Sequence, residues 1–239
     1  MKNVKKLLYM SIFLILVCIF AFMYINTIVQ NQSAKLSQKA DDDSINSVLL
    51  QANDSEILSQ IKIDELRNKY PICYGTPQNI MMRIPTFQDI LNSVDTFVYA
   101  NVVSEINHYN EKISTGYKEL DDKRIQNGIS DISRFFEYTL EVIGDTESKI
   151  DSDTQFITIF SNSIFEEYYP VLKQDMRIVV PVKKTDENKY SFMKYGLYYV
   201  TDDDYVLSAY EESEETKLSG VKINILLNLL KKEINTSLE

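Results

Sequence analysis

The hydrophobic pattern opens with a single run free of charge, from Leu7 to Val29, 23 residues of Leu, Ile, Val, Phe, Met and a few small or hydroxyl side chains. As a helix it reaches about 34 Å, enough to cross a hydrocarbon core of about 30 Å. Lys2, Lys5 and Lys6 precede it and no cation follows until Lys35. The positive-inside rule then makes residues 1–6 a cytoplasmic stub and places everything after 29 outside. Two other readings compete with a retained anchor at 7–29. A cleaved signal has a shorter apolar core and a small-x-small cleavage site, and Gln32-Ser33-Ala34 and Gln38-Lys39-Ala40 both fail at the outer position. A lipid anchor on Cys18 meets bulky Val17 where a small residue belongs. The retained anchor fits best.

Residues 30–43 carry no apolar period and read as a flexible stalk. Residues 44–85 form a helical and extended connecting segment. Val48, Leu49, Ala52, Ile57 and Ile61 make a broken helical stripe, Ile63, Leu66 and Tyr70 continue it, and Pro71 ends it. Thr86 caps a short helix, with Asp89 three residues on and Phe87, Ile90, Leu91 and Val94 as its apolar side.

From residue 96 the period becomes two. Val98, Ala100 and Val102 share one side of a strand over 96–103, small enough for the inside of a tightly curved sheet. Phe136, Tyr138, Leu140 and Val142 alternate with Phe135, Glu137, Thr139 and Glu141 in a strand over 134–143. A strand at 154–160 is apolar on both faces, hence central. One at 176–182 holds Pro181, which suggests an outer end or an edge. The pattern predicts a charged hairpin tip over 183–189, one strand over 190–200 with a bend at Gly196, and a last short strand over 205–210. A terminal helix carries Ile223, Leu227, Leu230 and Ile234 on one face. The expected fold is mainly β (α+β): an OB-like curled sheet or barrel of five to six strands with flanking helices, over residues 86–239, on an N-terminal transmembrane helix.

Charge narrows the partners. The chain has 25 basic and 35 acidic residues; with three cations in the stub, the external part carries 22 against 35, a net of about −13. That field repels phosphate backbones, so nucleic acid is excluded as an expected partner, while a protein partner or a cationic ligand fits. Sixteen Tyr and eleven Phe argue for a folded, β-rich body. Cys73 is alone outside the membrane run, which rules out an internal disulfide there, and the simplest reading is a buried, inert thiol. His108 is the single histidine, so multi-His zinc sites are excluded. No cofactor or metal motif stands out. Asp41-Asp42-Asp43 lacks the spaced ligands of a calcium loop, and Asp202-Asp203-Asp204 reads as a solvated turn.

One long polar connection, 107–133, is the candidate interaction loop, with His108, Tyr109, Tyr117, Asp121, Asp122 and Arg124 as its candidate contacts. No catalytic residues are assigned. Glu166 and Glu167 could serve as an acid/base pair, yet adjacent acids arise by chance in so acidic a chain.

The segments "FQDILNSVDTFVYANVVSEI", "FFEYTLEVIGD", "TQFITIFSN", "PVLKQDMRIVVPVKK", "YYVTDDDYVL" and "LSGVKINILLNLLKKEI" follow one another over about Phe87 to Ile234. In that order they resemble a broad group of uncharacterised extracytoplasmic proteins of Gram-positive bacteria. The resemblance implies a small OB-like barrel on a signal peptide or lipid anchor and supplies no catalytic residues. The chain departs from the group at Gln174-Asp175, where a Gly turn is favoured, and in lacking a good lipobox. The expected function is that of a membrane-tethered extracytoplasmic binding or interaction module. An accessory subunit of a membrane complex is the alternative, and a cell-wall or peptide hydrolase a more distant one.

Overall fold

The computed structural model describes residues 45–237 apart from 47, 48, 50–55, 74–83, 113, 129–131, 152, 164–168 and 211–216. The apolar run at 7–29, the stalk, Asp41 to Asp43 and the Glu166/Glu167 pair therefore lie outside the described residues. No helix among the described residues is long and apolar enough to cross a membrane.

A short helix precedes the sheet on each side of Pro71. The first, α1 (Gln60–Leu66), starts where Lys62 N donates to Ser59 Oγ at 3.4 Å, and it buries Ile63. Ile61, expected on the apolar stripe, is instead 74% exposed, because the helix begins only at Gln60 and turns Ile63 to the core. The second, α2 (Phe87–Ser93), has the expected capping box: Asp89 N donates to Thr86 Oγ1 and Thr86 N to Asp89 Oδ2. Its Phe87, Ile90 and Leu91 are buried.

Seven strands make one sheet: β1 (Thr96–Lys112), β2 (Ile132–Asp145), β3 (Phe156–Ser163), β4 (Arg177–Asp186), β5 (Lys189–Phe192), β6 (Tyr198–Val200) and β7 (Val206–Ser208). Their order is β1-β2-β3-β5-β4-β6-β7, and a further β1–β4 pairing closes the first five into a barrel. All pairs are antiparallel except β3 with β5, which run parallel through Ile159 and Tyr190. The interior is filled from every stave. Val98, Ala100 and Val102 face Ile178 and Val180 across the closure, and Tyr138 and Leu140 lie opposite Ile159 and Ile157. The small side chains on β1 are the ones the pleat can accommodate where curvature crowds Cβ atoms together.

β4 is paired along both edges, which corrects the edge placement of Pro181. One edge binds β1; the other binds β6 through Val179 and β5 from Val182. Pro181 sits in the step between those two partners. Its carbonyl accepts from Met193 N at 3.1 Å, so its missing N–H falls in the gap where no ladder bond is formed. The strand expected over 190–200 is accordingly two strands, β5 and β6, split at Gly196, whose φ of +79° turns the chain over Ile90 and Pro181. β3 is central, as expected, with β2 on one edge and β5 on the other; it buries Ile157 and Ile159 on its inner face, while Phe156 on the outer one stands 46% exposed.

The largest correction concerns 107–133. β1 does not stop at 103 but runs on to Lys112, and β2 begins at Ile132, so both ends of the expected loop, 107–112 and 132–133, belong to the outer part of a long two-stranded arm. Register shifts at Tyr99/Ala100, Val102/Ser104 and Glu105/Asn107 bend β1, which lets one strand curl around the barrel and then leave it. A nine-residue helix, α3 (Lys118–Gln126), lies between the two strands of the arm.

The terminal helix α4 (Ile223–Ser237) buries Leu226, Leu229, Leu230 and Ile234, while Ile223 and Leu227 are half-buried, so its apolar side is broader than the predicted stripe. Ahead of it, Gly220 pairs the chain with α1's segment through Leu58 N to Gly220 O at 2.8 Å, and Cys73 N donates to Ala209 O at 2.7 Å. Residues 56–73 are thereby stitched to the same unit as the barrel.

Candidate functional sites: the arm and two surface grooves

The arm carries all six predicted contact residues, but in two groups. His108 and Tyr109 are strand residues, paired with Phe136 and Phe135. The Tyr109 ring stacks on Phe135 with centroids 5.2 Å apart and planes 8° from parallel, and desolvation raises its phenol pKa, with nearby Glu137 adding to the shift. Glu137 in turn receives Lys189 Nζ at 2.7 Å, and that ammonium lies 5.2 Å from the Phe160 ring centre. These contacts fasten the outer part of the arm to β3 and to the β4–β5 hairpin.

The second group is on and beside α3. Tyr117 occupies the N-cap position and gives no side-chain cap bond; it is 70% exposed. Asp121 accepts from Ser114 Oγ at 2.7 Å and Thr115 N at 2.9 Å, and these bonds, Ser114's first, hold its carboxyl below the usual range. Asp121 is thus committed to closing the turn ahead of the helix. Asp122 is exposed and Arg124 half-exposed on the same helix. No residue of α3 is buried. Leu120, Ile125 and, at the start of β2, Ile132 are all large apolar side chains left exposed. A nine-residue helix without a buried face is marginal in water on its own.

Two grooves flank the turn at Gln174 and Asp175, where Asp175 takes φ +66°, a left-handed conformation that glycine adopts more readily. The first, about 290 Å³, is lined by Lys69, Tyr70, Lys173, Arg177 and Asp202 among others. Its main cations are already neutralised: Lys69 Nζ bonds Asp202 Oδ2 at 2.8 Å, and Arg177 Nη1 bonds Asp204 Oδ1 at 2.6 Å. The Asp202 to Asp204 turn is solvent-exposed, as expected from the sequence, and two of its carboxylates also pair with Lys69 and Arg177. Lys222 Nζ adds a bond to Asp203 O at 2.6 Å and lies 3.8 Å from the Tyr205 ring centre.

The second groove, about 460 Å³, is lined by Asn101, Val103, Glu141, Phe156, Gln174 and Asp175, over Val102. Asn101, Glu141 and Phe156 are directly opposite one another on β1, β2 and β3, so strand register alone brings them into one row on the outer face. Sequence reasoning missed this row. Its only local signs were the outward alternation of Glu141 and the non-glycine turn at Gln174-Asp175.

Cys73 is buried, donates through Sγ to Tyr169 O at 3.0 Å, and burial pushes its thiol up to about 11. Near it, Lys194 Nζ lies 5.0, 5.4 and 5.9 Å from the ring centres of Tyr195, Tyr210 and Tyr169, and burial lowers its pKa. Among the described residues no group of three or more His, Cys, Asp or Glu side chains could hold a metal ion.

No known family pattern matches this chain, and no curated protein matches it in sequence.

Proposed function

We propose that this protein is a membrane-tethered extracytoplasmic binding module that works by contact rather than catalysis, and that it holds a protein partner at the tip of the β1–β2 arm. The tether is the uncharged run at 7–29 with its preceding lysines. The support is an OB-like barrel, a reading suggested by closure in the order β1-β2-β3-β5-β4 with β3 and β5 parallel. The observation that carries the proposal is α3: a helix with no buried residue, held out on a two-stranded arm, with Tyr117, Leu120 and Ile125 exposed on or beside it. Large apolar side chains left exposed among charged ones are candidates for partner contacts.

The test is site-specific photo-crosslinking of the full-length protein in intact cells. A benzophenone side chain at Tyr117 or Ile125 is expected to give one discrete adduct, and the same group at exposed Lys149, away from the arm, none. A smear of equal intensity at all three positions, or no adduct at the arm, sinks the contact role. Deleting residues 1–30 is expected to move the protein from the membrane fraction to the soluble one; unchanged fractionation removes the tether from the proposal.

A further inference from the structure

We infer that the groove formed by Asn101, Glu141, Phe156, Gln174 and Asp175 is a second binding site, distinct from the arm, that takes an organic cation of the guanidinium type, as on an exposed arginine of a peptide or protein. The first support is charge. Asp202, Asp204 and Glu137 are each paired with an internal cation. Among the described residues neither Glu141 nor Asp175 has an ion-pair partner, although both line one groove. The nearest basic side chain in the same cross-strand row is Arg177, opposite Asn101, and it is turned to Asp204, the Thr201 carbonyl and the Tyr99 hydroxyl. Lys173 precedes the turn and lines the other groove.

The second support is the shape of the donor and acceptor set. Asn101 Nδ2 donates to Glu141 Oε2 at 3.0 Å, which fixes the carboxylate's orientation across the sheet. Phe156, 46% exposed, stands beside Glu141 in register and lines the same groove with an aromatic side chain. A planar guanidinium combines what these neighbours offer: it forks onto a carboxylate, stacks on a ring, and gives its remaining N–H groups to amide and carboxylate oxygens such as those of Gln174 and Asp175. Phosphates and carboxylates are repelled by the same set. Val103, half-buried, also lines the groove and offers an apolar contact to the methylene stem of such a side chain.

The test is saturation-transfer NMR on the full-length protein with N-acetyl-arginine amide as the probe. Its neutral isostere N-acetyl-citrulline amide and a neutral oligosaccharide are the comparisons. The arginine probe is expected to bind with a dissociation constant of about 1 mM or somewhat tighter, and citrulline not to saturate. Glu141→Gln and Phe156→Ala are each expected to weaken binding about fivefold or more. Glu187→Gln, which removes one exposed charge on the β4–β5 turn, is expected to leave it unchanged. Equal losses in Glu141→Gln and Glu187→Gln would mean general attraction to an acidic protein and overturn the site. Saturation by citrulline, preference for the oligosaccharide, or no transfer at about 20 mM probe overturns it as well. Matching thermal transitions guard against unfolding, and the near-isosteric Glu141→Gln decides alone where Phe156→Ala melts early.

Discussion

Arg177 Nη1 lies 2.6 Å from Asp204 Oδ1, joining the start of β4 to the turn that connects β6 and β7. The same guanidinium reaches the Tyr99 hydroxyl at 3.1 Å and the Thr201 carbonyl. One side chain thus ties the barrel closure to the β6–β7 extension. Arg177→Met is expected to cost about 1–2 kcal/mol, measured by chemical denaturation, because it strands a hydroxyl and a carbonyl as well as an acid. Asp204 is more than half exposed, so Asp204→Asn is expected to cost no more than about 0.5 kcal/mol. Equal losses from the two would mean that the ion pair, not the bonds to Tyr99 and Thr201, makes this tie.

Among the described glycines, Gly220 is the one least able to accept a side chain. Its φ is +93°, and a Cβ there would lie 2.8 Å from Ile63 Cδ1 and 3.3 Å from Leu58 Cβ. Gly220→Ala is expected to destabilise by about 1–3 kcal/mol through backbone strain and overpacking against α1. A thermal midpoint within a degree of the parent would show that Ile63 can move aside and that α1 is loosely held.

Asp175 presents the opposite case. Its left-handed backbone is one that glycine takes without cost, so Asp175→Gly is expected to leave stability unchanged or raise it by about 0.5 kcal/mol. The same change should weaken binding of the arginine probe. A loss of stability would instead assign the aspartate a structural bond that outweighs its strain.

Cys73 is expected to resist alkylation at pH 8 in the native protein and to react fully once urea unfolds it, as mass spectrometry would show. Its folded pKa, about 11, lies above the ordinary value of 9.0. The unfolded chain therefore loses this proton first, and the cysteine's contribution falls as pH rises from about 9 toward 11 and is constant below that window. Rapid native labelling at pH 8 would overturn its placement in the core.

What could be read along the chain was what each segment decides for itself. The Thr86–Asp89 capping box involves neighbours three residues apart, and the inward alternation on β1 and β2 follows from burying one face of each strand. The arm was hidden because 107–112, Asn-His-Tyr-Asn-Glu-Lys, is mostly polar at both alternating sets of positions. A ribbon that leaves the barrel has no core to impose a period of two on it, and it resembles a loop for that reason. Pro181 misled because a proline within a doubly paired strand is admissible only where the partner changes, and that step is made by β5 and β6 together. The groove was illegible for a different reason. Asn101, Glu141 and Phe156 become neighbours only through the registers of three strands, which no local pattern reports.

The β1–β4 closure sets an order of events for a newly made chain. Phe97 meets Pro181 only after about eighty further residues have emerged. Until then β1 and β2 can form a hairpin, and β3 can join it, but one edge of β1 has no stave to bind. Every contact across that seam is distant in sequence, which slows folding and prolongs the life of an open, pairing-competent edge. The residues exposed in that interval include Val98 and Ala100, uncharged and destined for the interior. The acidic character of the chain then acts before any fold exists: like charge between nascent copies keeps their unfinished edges apart while β4 arrives.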